Sequence, residues 1–135
     1  MTSEETKQRL ARAFHQALLA RDWESLKGIM SPEVTWTLPG ENRISGTASG
    51  VDDVIERAKL IASYGPSFEL LNILVSRDNM ALAIHNQARR GDLVLDEYLA
   101  TVCTLSDGKI TKIETYLSDV DGMNAFFAAP PPAAG

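Results

Sequence analysis

FELLNILVSR (residues 68–77), MALAIHNQARR (80–90), LVLDEYLATVCTLS (93–106) and KITKIETYLS (109–118) decide the fold. The four runs are rich in apolar and β-branched residues, which suit a pleated, half-buried surface. They are separated by Asp78-Asn79, Gly91-Asp92 and Asp107-Gly108. These residue types tolerate positive φ at a hairpin tip, so the second half of the chain reads as an antiparallel meander of four strands. The stretch Leu70 to Val75 is apolar on both faces apart from Asn72. That predicts cover on both sides of the sheet, by helices on one and by a second copy of the chain on the other.

Upstream, Thr2 and Glu5 have capping-box spacing, and Leu10, Phe14, Ala17 and Leu18 then recur with the helical period. Asp22 can cap a second, short helix whose stripe is Trp23, Leu26, Ile29 and Met30, stopped by Ser31-Pro32. Glu33 to Leu38 alternates, with Val34, Trp36 and Leu38 on one face and Thr35 and Thr37 on the other. Residues 39–50 read as a loop with a short strand around Ile44. Ser49 and Asp52 open a third helix carrying Val51, Val54, Ile55, Ala58 and Ile61, ended by Gly65-Pro66. Downstream of the meander, Asp119 can cap a short last helix with Met123, Phe126 and Phe127, and Ala128 to Gly135, with three consecutive prolines, reads as an unstructured tail.

Helices first and strands afterwards is the α+β pattern. The 135 residues suit one domain, taken as 1–127 with 128–135 as its tail. A strongly twisted mixed or antiparallel sheet burying its inner face on three helices of the N-terminal half curls into a cone. Its open end is a pocket candidate.

Thirteen Lys and Arg against eighteen Asp and Glu give a net charge of -5. Arg89 and Arg90 form the sole basic pair of note, so a nucleic-acid partner is not expected. No apolar run approaches the roughly 20 residues needed to span a bilayer, and the polar, acidic start is unlike a signal peptide, which predicts a cytoplasmic protein without a membrane partner. One cysteine, Cys103, and two histidines leave no dedicated metal site and no disulfide. No organic cofactor is expected either.

The element order, together with Arg21-Asp22-Trp23, Trp36-Thr37-Leu38-Pro39-Gly40, the Gly46 and Gly50 pair, Asp107-Gly108-Lys109-Ile110, and Asp119 followed by Phe126-Phe127, resembles the SnoaL-like branch of the nuclear-transport-factor-2-like and ketosteroid-isomerase-like superfamily. The resemblance runs from Leu10 to Phe127 and implies a cystatin-like α+β barrel. It leaves the reaction open, since that superfamily carries isomerases, dehydratases, cyclases, epoxide hydrolases and non-enzymes on one cone. It also argues against ketosteroid isomerisation. Aligned element by element, the general base falls on Leu38 and the two oxyanion donors on Phe14 and Thr101; a leucine cannot take a proton and a phenylalanine cannot donate a hydrogen bond, so that set is lost. In the SnoaL-type cyclases an acid/base aspartate stands near the end of the last strand, where this chain has Asp119.

Three residues are catalytic candidates. His85 lies mid-strand on the face of Ala83 and Gln87, which the superfamily register points into the cone; an imidazole there is a candidate general acid or base, unless it is a hydrogen-bonded core histidine. A two-residue tip at Gly91-Asp92 sets Tyr98 opposite it, and a three-residue tip sets Glu97 there. Glu97 turns inward if Leu95, Leu99 and Thr101 do, and an inward carboxylate must be paired or protonated; otherwise it is solvated at the rim. Asp119 is an acid/base group or an N-cap. Trp36, Leu38, Leu99, Thr101, Ile113 and Phe14 are expected to shape the substrate pocket, and His15 and Tyr116 to face outward.

The expected function is a cofactor-independent enzyme of isomerase, cyclase or hydratase type. It would act by general acid/base chemistry on a largely apolar molecule, and would be homodimeric through the outer sheet face. The alternative is a non-catalytic ligand-binding or dimerisation module.

Overall fold

The computed structural model describes residues 3–130. The elements follow in the order α1 (Glu4–Ala20), α2 (Trp23–Gly28), β1 (Met30–Leu38), β2 (Gly46–Ser49), α3 (Val51–Ser63), β3 (Ser67–Val75), β4 (Asn79–Arg90), β5 (Leu93–Ser106), β6 (Lys109–Leu117) and α4 (Val120–Phe126). The strands form one six-stranded sheet, ordered β2-β1-β6-β5-β4-β3. β1 runs parallel to β6 and every other neighbouring pair is antiparallel. The sheet curls so that α1 packs on β3 and β4, α3 on β1 and β2, and α4 on β5. This is the α+β cone that the sequence implied.

Leu10, Ala11, Phe14 and Ala17 form the buried stripe of α1. Its cap is Ser3, whose hydroxyl accepts the Thr6 N–H at 3.1 Å; Thr2, the cap expected from sequence, lies outside the described residues. Lys7 shares the buried face, 5% exposed, and its ammonium donates to the carbonyls of Ser76 and Arg77. A buried charge is tolerable when its donors are satisfied, and here they tie α1 to the β3–β4 turn.

Three boundaries differ from the expectation. Ile29 and Met30 do not extend α2, because the Ile29 carbonyl accepts the Ile110 N–H at 2.9 Å and Met30 pairs with Ile110, drawing the backbone into the sheet. Ser31-Pro32 therefore lies inside β1, where the ladder to β6 shifts between Met30 and Thr35 and a residue without an N–H does no harm. The short strand of the 39–50 segment is Gly46–Ser49 rather than the neighbourhood of Ile44. Thr35 pairs with Ser49, so Gly50 caps α3 without a side-chain bond. Arg57 of α3 holds this hairpin, donating to the Trp36 carbonyl at 2.6 Å and the Gly46 carbonyl at 2.9 Å.

Two of the three predicted tips are in place; the first is instead Ser76-Arg77-Asp78, since β3 ends at Val75, Asn79 already belongs to β4, and the Ser76 N–H donates to the Asn79 carbonyl. Arg90 pairs with Leu93 across Gly91 and Asp92, and Ser106 with Lys109 across Asp107 and Gly108. Asp107 (φ 52°) and Gly108 (φ 75°) both have the positive φ that a type I′ turn requires. β3 carries a bulge: Leu70 pairs with Ile84 and Asn72 with Ala83, leaving Leu71 over. Leu71 and Leu74 are half exposed, so the outer side of this strand is uncovered in one chain.

Beyond α4, the carbonyls of Ala128, Ala129 and Pro130 accept bonds from Arg43, Tyr64 and Arg90. The remainder of the expected tail, 131–135, lies outside the described residues. Among the described residues no helix is long and apolar enough to cross a membrane.

Leu82 is fully buried at the centre of β4. Leu82→Ala is expected to destabilise the fold by about 2–5 kcal/mol, through lost transfer energy and an unfilled cavity. Urea unfolding of parent and variant measures it.

Candidate functional site

Alternation along β4 buries Met80, Leu82, Ile84 and Asn86 on the inner face and sends Ala81, Ala83 and His85 to the outer one. On β5 the inner set is Leu95, Glu97, Leu99, Thr101 and Cys103. Between this inner face and helices α1, α3 and α4 lies a cavity of about 50 Å³. Phe14, Trp36, Leu38, Leu99 and Thr101 line it. Ile113 does not; it is fully buried behind the wall, beside Trp36 and Cys103 in the ladder. Leu18, Phe68 and Leu99 are the lining residues that keep partial exposure, and they mark the mouth.

The polar points of the wall are few. Trp36 donates its indole N–H to the Thr115 hydroxyl at 3.0 Å, and the Thr115 and Thr101 hydroxyls share a bond of 3.2 Å. Asn86 also lines the cavity, is 7% exposed, and its Oδ1 has no partner among the described residues. Asn86 and Thr115 were missed in the sequence. The signal for Asn86 was present, since it shares the parity of the large apolar residues Met80, Leu82 and Ile84.

His85 is the main correction. Its ring lies on the outer face, because the small Ala81 and Ala83 share its parity while the bulky residues of β4 fill the cone. The two-residue tip sets Tyr98 opposite, and the rings stack at 4.2 Å. Asp96 bonds the His85 Nε2 at 2.5 Å and Glu69 approaches Nδ1 at 3.7 Å. The imidazole converges with carboxylates away from the cavity, so it cannot reach a molecule held inside. His15, expected to face outward, is half-buried and contacts the Phe68 carbonyl at 2.7 Å through its Nε2.

Asp119 is exposed and caps α4, its carboxylate accepting the Gly122 N–H at 3.0 Å. A β-carbon at Gly122 would stand 2.4 Å from an Asp119 oxygen, so the missing side chain makes room for the cap. Asp119 is not part of the cavity wall.

Glu97 is the candidate acid that faces inward. It is 1% exposed, stands directly across the ladder from Asn86, and accepts the Asp119 N–H at 2.9 Å. Burial pushes its carboxyl above the ordinary range; the Asp119 N–H pulls the other way, and the charges of Asp119 and Asp96 add to the rise. Cys103 is fully buried and its thiol is pushed up to about 12 by desolvation, so it is no nucleophile. Among the described residues no group of three or more His, Cys, Asp and Glu side chains could hold a metal ion.

Comparison with known proteins places this geometry among relatives. Residues 11–113 match the model of the SnoaL-like domain. An uncharacterised protein of Mycobacterium tuberculosis (strain H37Rv) is 27% identical over 123 residues, covering 88% of this chain and 94% of its own length. Three solved structures share the fold. Bal32a, from a soil-derived mobile gene cassette, has a TM-score of 0.85 at 22% identity, covering 91% of this chain and 97% of its own. A cystatin-like protein of unknown function from Xanthomonas campestris has a TM-score of 0.81 at 23% identity, with 91% and 98% covered. TerC, co-crystallised with polyporic acid, has a TM-score of 0.79 at 17% identity, with 92% and 99% covered.

A carboxyl whose pKa is raised on folding binds its proton more tightly in the native state. Its contribution to stability is then full below the unfolded value of 4.5 and is lost as pH rises through the folded value. Glu97→Gln removes that loss. Thermal unfolding from pH 4 upward is expected to show the variant's Tm falling less with pH than the parent's.

Proposed function

The chain belongs to the SnoaL-like domain family, and on that premise we propose that its cone takes up a small, largely apolar molecule and that Glu97 acts on it as a general acid/base group without a cofactor. The reaction class is isomerisation, cyclisation or hydration. The observation that carries the reading is the position of Glu97: a buried carboxyl on the inner face, one ladder pair from the cavity wall at Asn86, its protonated form favoured by burial. A carboxyl whose protonated form is favoured by burial can hand a proton to a carbonyl or hydroxyl oxygen and take one back. His85 and Asp119 have no part in this step, the first facing away from the cavity and the second occupied with its helix. Trp36, Leu38, Leu99, Thr101 and Phe14 shape the ligand, and Ile113 supports them from behind. At about 50 Å³ the cavity is smaller than the roughly 150 Å³ that admits benzene, so entry requires the side chains of Leu18, Phe68 and Leu99 to swing.

A second reading is supported by the bond from the Asp119 N–H to Glu97. A carboxyl employed in holding α4 serves a non-catalytic ligand-binding module equally well. Glu97→Gln separates the two, because its amide oxygen still accepts the Asp119 N–H while the transferable proton is gone. On a substrate found by screening small ketones, enones and hydroxylated aromatics, the enzyme reading expects kcat to fall about 10²–10⁴-fold with KM unchanged. Unchanged kcat removes Glu97 from the chemistry, and binding without turnover of any screened molecule supports the module.

The outer sheet face carries Leu74, Val94, Tyr98 and Tyr116, each about half exposed. We propose that a second copy of the chain covers it in a homodimer. Light scattering at micromolar concentration is expected to give twice the chain mass for the parent, and the single-chain mass for Val94→Arg. A monomeric parent ends this proposal.

A further inference from the structure

The last described residues, Ala128, Ala129 and Pro130, are exposed and belong to no helix or strand, yet each is held by its backbone carbonyl. Arg43 Nε of the β1–β2 loop donates to Ala128 at 3.4 Å, the Tyr64 hydroxyl at the end of α3 to Ala129 at 2.6 Å, and Arg90 Nη2 at the end of β4 to Pro130 at 2.6 Å. The segment's own side chains are two alanines and a proline, which bury little apolar surface, so these polar bonds are what keep it down. At exposed positions such bonds exchange for bonds to water with small net change, which makes the attachment reversible.

What the segment holds is Phe127. This side chain is 1% exposed, lines the cavity, and packs edge-on against Tyr64 with ring centroids 4.6 Å apart. Tyr64 is thus both the neighbour of the ring and an anchor of the segment. A further, long bond of 3.4 Å joins the Arg43 N–H to the Phe127 carbonyl. α4 itself is fastened independently: Asp119 caps its start, and Asn124 Oδ1 accepts the Glu41 N–H at 2.7 Å and an Asn42 Nδ2 hydrogen at 2.8 Å. The cavity of about 50 Å³ falls short of the roughly 150 Å³ that takes up benzene, and a phenyl ring is itself benzene-sized. The ring of Phe127 occupies space of the size that is missing.

We infer that residues 127–130 are a latch on the cone. While the three carbonyls are held, the Phe127 ring fills space that a ligand needs. When they are released, the chain swings at the end of α4, the ring withdraws, and an apolar molecule of about one ring takes its place. The exchange is balanced, since the ligand restores apolar contacts that the ring gives up. Arg90 favours release: its Nη1 is buried without a partner among the described residues, and departure of Pro130 from the same guanidinium admits water to it. Leu18, Phe68 and Leu99 govern the mouth, and the latch governs the room behind it. The inference rests on the cone being a small-molecule site and names the segment that sets its volume.

Toluene is the probe, titrated against the protein by ligand-observed NMR. Tyr64→Phe keeps the ring and loses one anchor, and Tyr64→Phe with Arg90→Met loses two. A larger open population raises apparent affinity in proportion, so toluene is expected to bind about 3-fold more tightly to the single variant and about 10-fold more tightly to the double one. Phe127→Ala removes the plug itself. It is expected to bind at least as tightly as the double variant, and adding the two anchor substitutions to it is expected to bring no further gain. Equal affinity of the parent and the anchor variants, or a further gain on top of Phe127→Ala, overturns the latch and leaves the cone as a site. Binding to none of the variants, Phe127→Ala included, overturns the latch together with the small-molecule reading. These readouts are independent of turnover, so they hold whether or not Glu97 acts as an acid.

Discussion

Strict alternation across the paired strands β4 and β5 governs what the cavity contains. Neighbouring side chains on a strand must point to opposite faces, and the bulky members of β4, Met80, Leu82 and Ile84, can be buried only inside the cone. Asn86 follows them inward and His85 is driven outward. The two-residue tip at Gly91-Asp92 then sets the register, placing Glu97 across from Asn86 and Tyr98 across from His85. A slip of one residue would exchange the two chemistries, carrying the imidazole into the cavity and the amide onto the surface.

The polar groups buried in the core differ in how well they are satisfied. Lys7 is capped by two carbonyls, Glu97 by a backbone N–H, and Trp36 by a threonine hydroxyl. Each bond also joins elements distant in sequence: α1 to the β3–β4 turn, β5 to the start of α4, β1 to β6. Buried polar contacts of this kind contribute less to net stability than to holding one arrangement, because breaking them leaves a desolvated group behind. Two atoms are exceptions, Asn86 Oδ1 and Arg90 Nη1, which share a parity on β4 and have no partner among the described residues.

The outer face is organised by a separate set of contacts. His85 lies against Tyr98 between Asp96 and Glu69, while Leu74, Val94 and Tyr116 leave apolar surface around it. One sheet therefore has two unlike faces, a largely apolar concave side around the cavity and a mixed convex side with exposed apolar residues.

Much of the fold was legible in the residues alone. Hairpin tips, helical stripes and the helix-then-strand order are local signals, set by φ preference and by the periods 3.6 and 2, and they located the meander, the three early helices and the Asp119 cap. The parity of Leu95, Leu99 and Thr101 tied Glu97 to their face, but left open whether it turned inward or stood solvated at the rim. The tertiary structure decided the rest. Pro32 could enter a strand because the ladder there is interrupted, and β2 formed at Gly46–Ser49 because β1 offered an edge. The face of His85 was settled by which of two alternating sets filled the cone better. Composition and spacing determine which residues lie together on a face, but the choice of face depends on the volume available across the core, and that volume exists only once the helices and the sheet have met.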